Sequence, residues 1–399
     1  MPQPEVQAVV PYEQPALAQP KPLEVPLPPP ADVKKIEAEA KESPSLLSPV
    51  LKIGLGVRTG LELNVHNERD VVTFSLYDGV VDQTMIRPYF SAQLTKHIGV
   101  VANFQFGSAK VLQAALLDAI VQVKIVDEFQ IWGGQHIPAM DRLNFQGPFF
   151  NNGWNFEAPN TQNLPWDNGA RDKGFTFWGL VGGGFFKYHL SMTDLQPGRN
   201  IANAGFSARA NFNFWDPENY YYTSGTYYGS QDTFSVGGVI RGQKGTKRDD
   251  AGMLTDNGFL AGGVDMLLEK RFPSGVYTMQ AQYLNLNGTG GGYKVNQGTA
   301  DLGTGVGYFW PGQSFFGEVS WLAPSKVGIG QLQPNFHIGW GKDGSGGRSA
   351  DEVKSMYYDA GIGYIIDGFN HRYYLNYRRM NHDSLGKGDS IQLGAQIQI

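Results

Sequence analysis

Eight basic residues share one setting in this chain: Arg58, Arg87, Lys124, Lys187, Arg209, Arg241, Arg372 and Arg378 each occupy the polar side of a segment in which apolar and polar residues alternate. The acids Glu62, Asp118, Asp265, Glu269, Glu318 and Asp359 are placed in the same way. Charges arrayed along one face of extended segments are what a conduit uses to select ions. With both signs present, the pattern predicts a hydrated wall of mixed charge, and the cations alone could draw anions along a path. A further set of charges, Asp141, Arg142, Glu157, Asp167 and Arg171, falls in a connection of more than 30 residues between Ile137 and Arg171 that also carries Phe145, Phe149, Phe150, Trp154, Phe156 and Trp166. Ordinary loops are shorter, and so many aromatics predict ordered packing. The expectation is a loop folded inward, with these five charges around the narrowest point and opposed signs making a transverse field; the alternative is a loop capping the outer rim.

Catalytic patterns are missing where this chemistry would need them. The seven histidines form no i, i+4 pair and no H-E-x-x-H, which argues against a zinc site. No G-x-S-x-G elbow is present. The closely spaced glycines at 54, 56 and 60 and at 303, 305 and 307 precede no helix, so they read as strand glycines beside crowded side chains and not as phosphate loops. No nucleic-acid module appears. We expect no enzyme activity, no cofactor, no metal and no nucleic-acid partner.

The elements that must carry these charges are strands. From residue 50 onward, segments of about ten residues with period-two alternation are separated by Gly, Asn, Asp and Pro clusters. In the first, Leu51, Ile53, Leu55, Val57, Leu61, Leu63 and Val65 oppose Lys52, Gly54, Gly56, Arg58, Gly60, Glu62 and Asn64. The pattern returns with Phe206, Ala208, Ala210, Phe212 and Phe214, and again with Tyr373, Leu375 and Tyr377. A packed soluble core would not accept the charged face, because unpaired buried charge costs several kcal/mol, on the order of the whole stability of a domain. Many of the segments reach the 9 to 11 residues, roughly, of a bilayer-crossing strand, and short turns alternate with long connections, as in outer-membrane barrels. Seventeen candidate strands can be marked, from 51–65 to 389–399 and including 298–310, and the alternation of short turns and long loops loses phase over 311–345, where the surplus segment is expected. A bacterial barrel needs an even number, so the predicted fold is an all-β transmembrane antiparallel barrel of about 16 strands, with 18 as the neighbouring even count and long extracellular loops. Phe90, Phe106, Phe186, Tyr188, Trp310, Trp321, Trp340, Tyr364 and Tyr373 fall on outward faces or near strand ends, where aromatics anchor in the interface.

Composition agrees. Glycine supplies 52 of 399 residues, only 17% of residues are charged, and the net charge is −5, which argues against a general polyanion-binding surface. The chain has no cysteine, which removes disulfides, thiolate metal sites and c-type haem attachment. Residues 1–49 differ from the rest: they hold 12 of the 23 prolines and a single aromatic, Tyr12. Such a stretch favours extended, solvated chain and is expected to be a largely disordered periplasmic tether ahead of a barrel spanning 50–399, with peptidoglycan or a periplasmic partner within reach. No leader pattern opens the sequence, so a signal peptide is taken as removed.

Three segments, AALLDAIVQVKIVDEFQIWGGQHI at 114–137, DPENYYYTSGTYYGSQDTFSVGG at 216–238, and YYDAGIGYIIDGFNHRYYLNY at 357–377 with the end QLGAQIQI at 392–399, resemble the phosphate-selective porin O and P family. The resemblance implies a 16-stranded porin of the Gram-negative outer membrane, in contact with lipid and lipopolysaccharide, passing small ions or hydrophilic solutes, and with a homotrimer as the customary assembly. Two departures stand out. The chain ends in Ile399 where the family ends in an aromatic, and the family's lumen ladder of arginines and its lysine cluster have no residue-by-residue match here. The barrel region carries 28 basic and 30 acidic residues, so phosphate selectivity does not follow. The expected function is passive diffusion, with a preference for anions as an option. The rival is a sleeve that houses a partner such as a cytochrome in an electron conduit, which would need the lumen empty.

Overall fold

The computed structural model describes residues 50–66, 71–76, 84–108, 113–156, 170–194, 204–243, 246–248, 254–256, 259–288, 293–294, 308–309, 312–343, 353–383 and 386–399. The 1–49 tether, Glu157, Asp167, Trp310 and the glycines at 303, 305 and 307 lie outside the described residues.

Alternation becomes strand because side chains on successive residues point to opposite faces. Sixteen strands run in chain order: β1 (Val50–His66), β2 (Thr84–Gln93), β3 (Ile98–Ser108), β4 (Gln113–Val126), β5 (Phe129–His136), β6 (Asp172–Val181), β7 (Phe186–Asp194), β8 (Gly205–Asn213), β9 (Thr233–Gln243), β10 (Phe259–Phe272), β11 (Gly275–Gly288), β12 (Gly312–Leu322), β13 (Gly330–Asp343), β14 (Val353–Asp367), β15 (His371–His382) and β16 (Gly386–Gln398). Each pairs antiparallel with the next, and β16 pairs with β1 from Gly56↔Gln398 to His66↔Gly388, which closes the barrel. Closure leaves no free edge, the condition for crossing lipid with strands. Two short extra strands join the sheet. Val71–Leu76 pairs with the far half of β1 while β2 pairs with the near half, and Lys326–Val327 makes a tight hairpin with the start of β13. The seventeenth candidate, 298–310, is not a barrel strand in its described part: Tyr308–Phe309 pairs with Tyr293–Lys294 in a separate two-stranded ladder.

The two faces separate as the alternation predicts. Outward residues are apolar and exposed, including Ile53 at 62%, Val264 at 59% and Leu393 at 54%. Inward residues are polar and buried, among them Arg58, Glu62, Arg209, Arg241, Glu269, Arg372 and Gln396. An apolar belt around a closed barrel with a polar interior is the organisation of an outer-membrane protein. Short turns at one end, such as Asp127–Glu128 and Gly368–Asn370, mark the periplasmic side by that same organisation.

Candidate functional site: the barrel interior

Two connections enter the barrel. The first follows β5 and contains α1 (Arg142–Phe150). Asp141 caps this helix, its carboxylate accepting from the Asn144 backbone N–H at 3.1 Å and from the Asn144 amide at 2.5 Å. Gly147, at φ 59°, and Pro148 break the helix after one turn, and Asn151 ends it. The run is fastened to inward side chains on several strands. The Arg142 N–H donates to Asp265 and the Leu143 N–H to Gln282; the Asn152 amide reaches Ser320, and the Asn155 amide reaches Asp359 and Gln392. Strand glycines make the room: a Cβ on Gly56 would lie 2.8 Å from the Phe149 ring, and one on Gly394 would lie 2.4 Å from the Trp154 ring.

The second connection, between β8 and β9, enters from the turn end. Its residues Tyr221, Thr223, Thr226, Tyr227 and Tyr228 are buried. Tyr221 stacks on Trp132 with ring centroids 3.8 Å apart and donates from its hydroxyl to the Ile137 carbonyl at 2.7 Å. Trp178, His189 and Phe145 pack edge-on or tilted around the same ring. Glu269 of β10 accepts from the backbone N–H groups of Tyr227 and Gly229, at 2.9 and 2.6 Å, and from the Thr226 hydroxyl at 2.6 Å. The two connections meet where the Gly225 N–H donates to the Phe150 carbonyl at 2.8 Å and where Arg142 grips Glu218. No Cβ fits at Gly225, because it would lie 2.6 Å from the Asn152 backbone nitrogen.

The inward charges are therefore held, and the expectation of a hydrated wall is corrected. Arg142 donates to Glu218 at 2.5 and 3.0 Å and to the Ser235 hydroxyl at 2.9 Å, while Arg209 makes a two-pronged pair with Asp265 at 2.5 and 2.7 Å. Arg241 pairs with Asp172, and Arg378 with Asp359 at 2.5 Å. Lys187 donates to the Tyr220 carbonyl at 2.9 Å. Arg58 and Arg372 have a different role: Arg58 donates to the Pro148 and Trp154 carbonyls, and Arg372 to the carbonyls of Phe149 and Asn151. Carbonyls at a helix C-terminus have no intrahelical partner and carry partial negative charge, so two arginines anchor the end of α1. Glu62 accepts from the Gln392 amide at 2.6 Å. Lys124 stands apart at the rim, paired with the exposed Asp127. Arg58, Arg372 and Lys187 thus meet carbonyls of the two inserted connections, while Arg209, Arg241 and Arg378 meet carboxylates of other strands, contacts that the alternation of the strands could not reveal.

Electrostatics in the second connection follow from these contacts. Burial alone would push the Glu218 carboxyl up, but the Arg142 guanidinium, the Lys187 ammonium and the hydrogen bonds from Arg142 and Tyr227 outweigh it and hold it at about 2. Asp141 goes the other way: burial raises it, against the hydrogen bonds from Asn144. Among the described residues, no group of three or more His, Cys, Asp or Glu is arranged to hold a metal.

Among the described residues, a cavity of about 120 Å³ lies between the β1–β5 wall and α1. Lys52, Arg87 and Arg171 line it, with Asp118 as the carboxylate among its lining residues. Asp118 is engaged by Arg171 at 3.1 Å and by the Asn103 amide at 2.9 Å. Arg87 donates to Gln105 at 2.5 Å. Of the charges read from the sequence, the structure thus brings Arg87 and Arg171 to this passage and Asp141 and Arg142 to the base of α1. Sequence reasoning missed Glu218, Tyr221 and Gln122. The signal for the first two was present in YYYTSGTYY, a long aromatic connection on the side of the barrel where turns should be short.

Solved structures carry the same architecture. OmpF of Salmonella typhi, solved in complex with daunomycin, is similar at TM-score 0.57 and 15% identity, over 88% of this chain and 97% of that one. This is the fold of an outer-membrane porin. An anion-selective porin from Comamonas acidovorans is similar at TM-score 0.54 and 9% identity, over 88% of this chain and 100% of that one. The trimer form of OmpT, an outer-membrane protein of Vibrio cholerae, is similar at TM-score 0.51 and 10% identity, over 88% of this chain and 99% of that one. No family model matches the chain, and no curated protein does.

Proposed function

We propose that this porin-fold barrel is a passive diffusion channel of the outer membrane, not an enzyme, and that small anions cross it along the passage between the β1–β5 wall and α1. The observation that carries this reading is the side-chain charge of that cavity: three cationic side chains, Lys52, Arg87 and Arg171, against one acidic side chain, Asp118. A narrow, low-dielectric conduit focuses such an excess of charge and raises the local concentration of counter-ions. In this account the connection after β5 is the constriction. Asp141 and Arg142 set its entry, Arg58 and Arg372 hold its far end, and Arg171 stands at the edge of the route. Arg209, Arg241 and Arg378 serve the wall and not the solute, because each is paired with a carboxylate and none lines the cavity. The anion-selective porin from Comamonas acidovorans, with its related fold, is consistent with this reading.

Membership in the phosphate-selective porin family remains part of the proposal, as do contact with lipid and lipopolysaccharide, a homotrimer, for which the trimer form of OmpT is a precedent, and a peptidoglycan or periplasmic contact made by residues 1–49. The sleeve reading is set aside, since the buried side chains of α1 and of the β8–β9 connection stand where a housed partner would have to fit. Deletion of residues 141–168 tests the constriction. Single-channel conductance in a planar bilayer should rise at least twofold, and unchanged conductance would remove the gating role.

A further inference from the structure

The lining of the passage carries more than a sign of charge. Strand register stacks it in rungs: Gly54, Tyr89, Asn103 and Asp118 are successive partners across β1 to β4, as are Lys52, Ser91, Val101 and Ile120 one step nearer the periplasm. Facing them from the inserted segments and from β5 are Phe145, Phe150, Tyr222 and Trp132. Most of this surface is therefore apolar. Four side chains that line it, Arg87, Tyr89, Gln122 and Trp132, carry buried polar atoms without a partner. Gln122 is fully buried with neither its amide nitrogen nor its amide oxygen partnered, and the Nε of Arg87 has no acceptor. A buried amide without a partner costs about 1–3 kcal/mol, so an unused pair of this kind suits a group that arrives with the solute.

We propose that the passage holds a binding site for an organic monocarboxylate with an apolar body about the size of a single ring, a deepening that rests on the channel reading above. The Arg87 guanidinium meets the carboxylate, since its planar fork matches that group. Its guanidinium carbon already lies over the Phe149 ring at 5.0 Å, and one of its terminal nitrogens is fixed by Gln105. Ile120, Trp132, Phe145 and Phe150 cover the apolar body. Gln122 offers both a donor and an acceptor to a polar substituent on it. At about 120 Å³ the cavity is smaller than the roughly 150 Å³ that takes up benzene, which limits the apolar body to no more than a single ring. Inorganic phosphate is the poorer ligand on the same grounds. A compact, strongly hydrated anion loses its water against mostly apolar walls and finds few donors in return, and Asp118 repels it.

The test compares benzoate with inorganic phosphate as blockers of KCl current through the purified full-length protein. Half-block by benzoate should occur at a concentration at least ten times lower than by phosphate, and Arg87→Gln should raise the benzoate value about tenfold, with Arg87→Lys, which keeps the charge and loses the fork, in between. Equal or tighter block by phosphate, or a benzoate value within twofold of wild type in Arg87→Gln, would overturn the site. Folded protein that shows no KCl steps would instead overturn the channel reading. Calorimetric titration of benzoate into that same folded protein then decides the site alone: binding weakened tenfold by Arg87→Gln supports it, and no binding overturns it.

Discussion

At the scale of single residues, most of the inward cations are fasteners. Arg58 and Arg372 spend their donors on carbonyls at the end of α1, and Arg142 joins the two inserted connections through Glu218. Removing one partner of a buried pair leaves the other charge without compensation, a loss of about 3–5 kcal/mol. Glu218→Gln should therefore lower the unfolding free energy of the detergent-solubilised barrel, obtained from guanidinium denaturation, by that amount at neutral pH. The sign of its pH dependence is fixed by the direction of the shift. The carboxyl ordinarily titrates near 4.5 and is held down at about 2 in the folded barrel. Its contribution is full above about 4.5 and is lost as pH falls toward about 2, so the gap in stability between wild type and Glu218→Gln should close across that window. A gap independent of pH would contradict the ion-pair account. That these cations point inward was legible from alternation with apolar neighbours; what they bind was not, because the carbonyls and carboxylates they meet lie up to 223 positions away in the chain.

At the scale of elements, strands were the most legible part and inserted connections the least. Period-two alternation located the wall, and the even-number rule required one candidate to go. Loss of phase pointed to 311–345, which holds the barrel strands β12 and β13, whereas the candidate whose described part, Tyr308–Phe309, lies outside the barrel is 298–310. The long connection after β5 announced itself by length and aromatic content. Its counterpart between β8 and β9 went unread because the expectation of short periplasmic turns overrode the sight of five tyrosines in nine residues at 220–228. At two of the strand glycines crowding is found: a Cβ on Gly56 would meet Phe149 and one on Gly54 the Ile399 carbonyl. Gly56→Leu should push Phe149 off the β1 wall and cost about 1–3 kcal/mol, the usual price of overpacking, visible as a lower unfolding midpoint. A neutral result would mean that α1 does not press on β1 as described.

At the scale of the whole molecule, the same alternation divides the barrel between two solvents. The outward belt meets hydrocarbon and the interior is satisfied by its own polar network, so a charge placed on the belt has nothing to pair with. Val264→Arg, near the middle of β10 and 59% exposed, should destabilise the barrel in lipid by about 2–4 kcal/mol, measured by reversible unfolding from liposomes; a soluble β-protein would show almost no effect. Because two connections enter the barrel among the described residues, the molecule as a whole should conduct weakly for its strand number and choose ions by the walls of the cavity beside α1. The most direct measurement of that claim is the reversal potential of single channels under a KCl gradient, for wild type and for Arg87→Glu. The account predicts anion selectivity in the wild type and a shift toward cations in the variant. Cation selectivity in the wild type, or no shift in the variant, would contradict it.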